Sequence, residues 1–295
     1  MTFTGIVGSD NDYVIHSFIN GLKKHGYTRF RLQDYRNIPY TNTKEYFELT
    51  NNIKDDVCIG WSGCQLESFQ SLGDNVIIFE NPYFGHTYQK PASWISAGWN
   101  GLGRRGTFCN TNSNSFRWDE HFSFFKNEKL KDWTGGEFVL LLAQEDRGQS
   151  LIFYEQELKA KTDYNKIIRK IKEKTDLPIR VKHHPKEINS NIWNIPSDIK
   201  VIDSHVSVYD AIKNAKVCVT INSNSVVESV LGGTPAITLD RGSMAWDITE
   251  HNFDKIETPP LPDREQWIYD ITYCQWKLEE FNNGTAWDHL RQIYN

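Results

Sequence analysis

Methionine is almost missing from this 295-residue chain, which has two, and cysteine is sparse. The five cysteines, Cys58, Cys64, Cys109, Cys218 and Cys274, are scattered and form no CxxC pair. That argues against a zinc site or a disulfide framework and points to reduced thiols. No apolar run approaches the roughly 18 residues needed to span a bilayer. The opening MTFTGIVGSDNDYV lacks the basic-then-apolar layout of a secretory signal, so the chain reads as cytosolic. Basic residues are not in excess: 33 Lys and Arg stand against 38 Asp and Glu, a net charge of −5. A general polyanion binder is therefore not expected, although a local basic face is compatible with that total. Low-complexity tracts and internal sequence repeats are also lacking.

What is present suits a packed globular protein, with 39% hydrophobic and 24% charged residues. The length fits two domains of roughly 100–150 residues. Phe3–Gly8 reads as a strand entering a Gly-Ser-Asp turn. Val14, Ile15, Phe18, Ile19 and Leu22 follow at helical spacing, stopped by His25-Gly26. Arg29–Gln33, Val57–Trp61 and Val76–Glu80 read as further strands. Residues 82–118 show little periodicity and read as a long loop, and 118–133 reads as a helix. Thr134-Gly135-Gly136 then punctuates the chain. Beyond it the expected order is strand 137–143, a long lysine-rich helix near 155–175, and strands 179–182 and 200–202. A helix follows at 207–215 with Ser207 as N-cap, then strand 217–221, a helix from Val226 to Leu231 and strand 235–239. One or two helices complete the chain. This alternation describes doubly wound parallel sheets. The expected divisions are 1–134, 135–262 and a helical tail, 263–295.

Ligands of open parallel sheets bind beyond the carboxyl ends of the strands. Three polar clusters fall at that edge in the second half: Gln144–Gly148, His183–Pro185 and Asn222–Ser225. In TINSNSVVES, Ser223, Asn224 and Ser225 begin a helix, a setting that favours phosphate, and Glu228 lies one turn in, suited to ribose hydroxyls. The alternative is ordinary Ser/Asn capping with a surface glutamate. In VKHHPKE, Pro185 biases His184 toward extended geometry, and its imidazole suits a phosphate; the alternative is a loop histidine without ligand. His183 and His184 point oppositely on an extended chain and so do not chelate a metal together. In QEDRGQS, Glu145 or Asp146 supplies a base or a group that stabilises a sugar cation, or else merely caps the next helix.

Together, Gln144…Asp146…Ser150, His184-Pro185 and Ser223…Glu228…Gly232-Gly233-Thr234-Pro235 resemble the capsule-polysaccharide-type and sialyltransferase-like glycosyltransferases of the GT-B fold. The spacing in SNSVVE also resembles the ribose-phosphate motif of nucleotide-sugar epimerases. The likeness covers about residues 137–240. It implies an α/β GT-B fold with two Rossmann-like domains facing a central cleft. The first would bind acceptor, the second would bind nucleotide-sugar, and the terminal helices would brace the first. It implies that Gln144, His184, Ser223, Asn224, Ser225 and Glu228 hold the donor, and that Asp146 or Glu145 stands near the reacting carbon. Arg147 inside the acidic motif and Asn224 inside the serine motif depart from the pattern. Metal is not required in such enzymes, and no DxD-like pair is evident.

The segments SWISAGWNGLGRRGTF and FRWDEHF resemble phage-encoded relatives, some of which glycosylate hydroxymethylated bases in their own DNA. A DNA acceptor of the 5-hydroxymethylcytosine type in the host cytoplasm is one expectation. A capsular or surface glycan is the other, and a nucleotide-sugar epimerase of the same fold is a further alternative. Arg104 and Arg105 would contribute local positive charge, and Trp99 and Tyr83 are candidates to stack on acceptor. The same rings serve equally as packing. Asp10, at the first strand end, is an alternative base or a simple turn residue. The chain is expected to act as a monomer.

Overall fold

The computed structural model describes residues 1–34, 57–62, 75–85, 93–146, 148–187 and 193–294. Cys64 and Arg147 of the motifs above lie outside the described residues. Contacts divide the chain into two compact units, Met1–Asn114 with Asp270–Asn295, and Ser115–Tyr269.

The first unit holds a six-stranded sheet. Its strands are β1 (Phe3–Val7), β2 (Phe30–Asp34), β3 (Val57–Trp61), β4 (Val76–Glu80), β5 (Trp94–Trp99) and β11 (Gln275–Lys277), in the order β2-β1-β3-β4-β5-β11. The first four run parallel, and β5 is antiparallel to both β4 and β11. All residues of β3 and β5 are buried, as expected of strands covered on both faces. Helix α1 (Asp12–Lys24) buries Val14, Ile15, Phe18, Ile19 and Leu22, the stripe expected from the sequence. It ends at His25, with Gly26 in the left-handed region at φ 83°.

The chain end returns to this unit. After β11, Leu278–Asn283 and Thr285–Leu290 form two short helices against α1. Phe18 meets Phe281 edge-on at 5.8 Å between ring centroids, and Phe3 meets Trp287 at 5.4 Å. These aromatic contacts combine large apolar burial with favourable edge-to-face geometry.

The second unit holds five parallel strands: β6 (Phe138–Leu142), β7 (Ile179–Lys182), β8 (Lys200–Ile202), β9 (Ala215–Thr220) and β10 (Ala236–Thr238). Their order, β8-β7-β6-β9-β10, is the Rossmann order of third-second-first-fourth-fifth, and it reverses between β6 and β9. One face packs Val139, Leu141, Val181, Val217 and Val219 against Leu151, Tyr164, Ile168 and Ile171. Ser207 caps its helix as expected, accepting from the Asp210 amide at 3.1 Å.

Several sequence expectations are corrected. The long helix near 155–175 is two helices, α3 (Gln149–Leu158) and α4 (Tyr164–Lys172). Lys159 turns left-handed at φ 52°, and Asp163 caps the second helix by accepting from the Lys166 amide. The helix expected over 118–133 is only α2 (Phe116–His121) followed by a π-helical turn, Phe125–Lys129. The loop expected over 82–118 contains β5, and the helical tail contains β11. Both strands are short and largely buried, so neither shows the alternation that identifies a half-buried strand. Residues 131–134 bond into the second unit: the Lys131 amide donates to Leu231 O at 2.9 Å and the Thr134 amide to Gly233 O at 2.7 Å. Arg264 donates to the carbonyls of Val230 and Lys131 and lies 4.4 Å from the Trp133 ring centre.

A Cβ built on Gly21 would lie on the Phe281 carbonyl oxygen and 3.0 Å from Gly284. Glycine therefore lets α1 and the terminal helices approach. We expect Gly21→Ala to lower unfolding free energy by about 1–3 kcal/mol, the usual cost of overpacking. Urea titration checks this, and an unchanged midpoint would show that the helices move apart freely.

Candidate functional site

The reversal between β6 and β9 places the ends of these strands where a Rossmann sheet opens a crevice. Gln144 follows β6, and Asn222 follows β9. Gln144 Nε2 donates to Asn222 Oδ1 at 2.7 Å, and the Asn222 amide donates to Gln144 Oε1 at 3.0 Å. Both residues are buried. Gln144 also donates to Ser150 Oγ, and its backbone is held by Tyr164 and Trp193. Its polar groups are thus engaged within the protein.

His184, beyond β7, is only partly exposed. Its Nδ1 accepts from the Lys186 amide at 3.1 Å, which leaves Nε2 to carry the ring proton. Burial, reinforced by Lys186 and Lys182, pushes its pKa down to about 4. At neutral pH it is therefore an uncharged hydrogen-bond donor. His183 is buried. Both its ring nitrogens are buried without a hydrogen-bond partner among the described residues.

Lys182, the last residue of β7, is a site residue that the motif reading missed. It is only 4% exposed, and its ammonium donates to Ser204 O at 2.8 Å. Burial lowers its pKa, against the opposing pull of the Glu228 and Asp203 carboxylates. Glu228 lies on α6 (Ser225–Leu231). Burial pushes its carboxyl up to about 7, although Lys182 and Lys129 act to lower it. The Tyr209 hydroxyl nearby is buried without a partner among the described residues, and Lys129 stands over its ring at 4.7 Å. Lys182 thus couples electrostatically to both His184 and Glu228. The detectable signal was a lysine ending a buried strand that is polar only at alternate positions.

Ser223, Asn224 and Ser225 form the turn into α6, with the Ser225 amide donating to Ser223 Oγ at 3.2 Å. Glu145 and Asp146 are partly exposed in the loop after β6, and the Asp146 amide donates to the Glu187 carboxylate at 3.3 Å.

In the first unit the picture differs. Asp12, rather than Asp10, closes the turn after β1: its carboxylate accepts from the Gly8 amide at 2.8 Å and the Ser9 amide at 2.9 Å. Asp10 itself is exposed. Trp99 and Tyr83 are 1% and 4% exposed, so neither ring has a face to offer an acceptor. Trp99 Nε1 donates to Leu290 O at 2.8 Å, and Tyr83 packs edge-on against Phe108. Packing of β5 and the returning tail claims both rings. Arg104 is exposed on a 3-10 turn, Gly103–Arg105, with Arg105 partly covered. In the second unit, four basic residues between positions 161 and 174 are paired with acids: Lys161 with Glu155, Arg169 with Asp163, Lys172 with Asp198 and Lys174 with Asp254. Among the described residues no group of three or more His, Cys, Asp and Glu is arranged to hold a metal ion. No helix there is long and apolar enough to cross a membrane.

No protein-family model and no curated protein sequence matches the chain. Two solved structures from Thermosulfurimonas dismutans KpsC are similar along most of its length. The beta Kdo 2,7 transferase has a TM-score of 0.57 and 13% identity, covering 97% of this chain and 99% of that one. The beta Kdo 2,4 transferase has a TM-score of 0.58 and 13% identity, covering 92% and 89%. The fold is the mixed α/β GT-B type, with two sheets of parallel core.

Glu228 and His184 have opposite linkage to pH. A carboxyl raised from 4.5 to about 7 binds its proton more tightly in the folded state, so its contribution to stability falls as pH rises through that window. A histidine lowered from 6.5 to about 4 costs stability as pH falls through that range. We expect Glu228→Gln to remove the first effect, melting above the unsubstituted protein at pH 8 and converging with it near pH 5. Parallel melting curves across that range would show that the carboxyl is solvated.

Proposed function

We propose that the protein is a glycosyltransferase that takes its sugar from a nucleotide-sugar held at the strand ends of the second unit. The observation that carries this reading is the Lys182, His184 and Glu228 cluster, set beside the β6/β9 reversal of a GT-B fold. His184 Nε2–H donates to the donor phosphate, and Lys182 supplies positive charge without a long reach to solvent. The 223–225 turn borders the same phosphate. Glu228 accepts from the ribose hydroxyls. In the transfer, the bond from the anomeric carbon to the phosphate oxygen breaks as the acceptor oxygen bonds to that carbon. The acceptor proton passes to a carboxylate, Asp146 or Glu145, and charge that develops on the leaving phosphate is met by His184 and Lys182.

A saccharide hydroxyl is the acceptor that the observations favour. The similar solved structures are described as Kdo transferases. The ion pairs of Lys161, Lys172 and Lys174 with neighbouring acids, and the burial of Trp99 and Tyr83, leave less with which to grip a duplex or stack a flipped base. A hydroxymethylated base in double-stranded DNA is the second reading, supported by the exposed Arg104 turn.

A panel of nucleotide-sugars screened by melting temperature identifies the donor, since a ligand of the folded state alone raises it. Transfer is then assayed to saccharides and to hydroxymethylcytosine DNA. Donor turnover without any acceptor would instead make the protein an epimerase. We expect His184→Ala to cut kcat/KM about 100-fold, the scale for losing one donor to a developing oxyanion. Wild-type kinetics in that variant would remove His184 from the site. Asp146→Asn is expected to lose turnover while keeping donor binding; full activity would move the role to Glu145.

A further inference from the structure

Main-chain pairing between β6 and β9 runs as far as Leu141 with Val219. Beyond that point side chains continue the link. Thr220 Oγ1 donates to Leu142 O at 3.1 Å, and then the Gln144 and Asn222 amides pair. Asn222 Nδ2 donates onward to Ser150 O at 2.8 Å and to the Asp240 carboxylate, just past β10. The second oxygen of Asp240 accepts from the Gly242 amide at 3.1 Å. Gln144, Asn222 and Asp240 are 5%, 4% and 3% exposed.

The direction of this chain is set by groups that cannot reverse their roles. An amide side chain can be reversed, exchanging donor for acceptor, unless its neighbours forbid it. A carboxylate only accepts. Asp240 and the Ser150 carbonyl, both acceptors only, therefore oblige Asn222 to turn its NH2 group toward them, which turns its carbonyl toward Gln144. Gln144 must then present its own NH2 group to Asn222 and its carbonyl to the Asn222 backbone. Three strand ends and the start of α3 are thereby fixed relative to one another.

We infer that Gln144, Asn222 and Asp240 form a positioning relay that holds Glu145 and Asp146, the start of α3 and the 222–225 turn in their ligand-receiving arrangement. Asp240, which the sequence motifs did not mark, sets its polarity together with the Ser150 carbonyl. The relay acts on donor through the segments it fixes and touches no donor atom, and in this it rests on the donor site proposed above. Preorganisation of this kind lowers the ordering cost of binding.

The test uses the full chain carrying Asp240→Asn, Gln144→Glu, Asn222→Asp, or Asn222→Asp with Asp240→Asn. Hydrogen exchange on the free protein is read first. Each single variant is expected to exchange about tenfold faster in peptides covering 145–151 and 222–227, the scale of one lost hydrogen bond, with the first unit unchanged. The double variant restores a donor opposite a carboxylate and is expected to regain much of the protection lost in Asn222→Asp. Wild-type exchange in the single variants, or a double variant no better than Asn222→Asp, overturns the relay. Calorimetry with UDP and with CMP is read second. The variants are expected to bind about tenfold more weakly whichever nucleotide the unsubstituted protein takes; equal affinity overturns the positioning role. Should the unsubstituted protein bind neither, the donor reading falls, and the exchange data still decide the relay.

Discussion

The pairing of the Gln144 and Asn222 amides is the interaction on which the strand-end architecture of the second unit depends. A doubly wound sheet must part its loops where the strand order reverses, and there the backbone ladder gives out. A crevice opened that way has polar walls with no inherent rigidity. Here two side chains extend the ladder for one more rung, and a buried carboxylate dictates how they face. The polar groups that could have bound a ligand are used instead to set the floor on which other groups stand.

In the proposed donor site, those other groups are drawn from water without being fully paired with opposite charge. Lys182 and Glu228 are drawn out of water without forming a direct ion pair among the described contacts, and each is pulled from its ordinary titration range by burial. A charge desolvated in this way retains a strong field, since little solvent screens it. His184 contributes the complementary feature, a neutral ring whose tautomer is set by the Lys186 amide. Orientation, rather than net charge, is what such a histidine brings.

The parallel strands of both units were legible because they are apolar runs bounded by glycine, proline and polar turns. The helix α1 was legible from its 3.6-residue stripe. What escaped was structure whose signal is not periodic. β5 is buried on all sides, so Trp94 to Trp99 offered no alternation, and its tryptophans looked like a ligand platform. The break between α3 and α4 depends on one residue, Lys159, adopting a conformation that its type does not advertise. At the proposed site, motif reading marked Gln144 alongside His184 and Glu228, because a polar residue at a strand end looks the same whether its partner is a ligand or Asn222. Lys182 and Asp240 carry no motif, and their importance arises only from what surrounds them.

The turn after β1 bears on the unlike treatment of two similar halves. In the first unit the Gly8 and Ser9 amides, a natural cradle for an anion, already enclose the carboxylate of Asp12. The protein carries its own tethered surrogate there, and a phosphate would have to evict a covalently attached rival present at high local concentration. That single aspartate fills the turn after β1 with the protein's own anion.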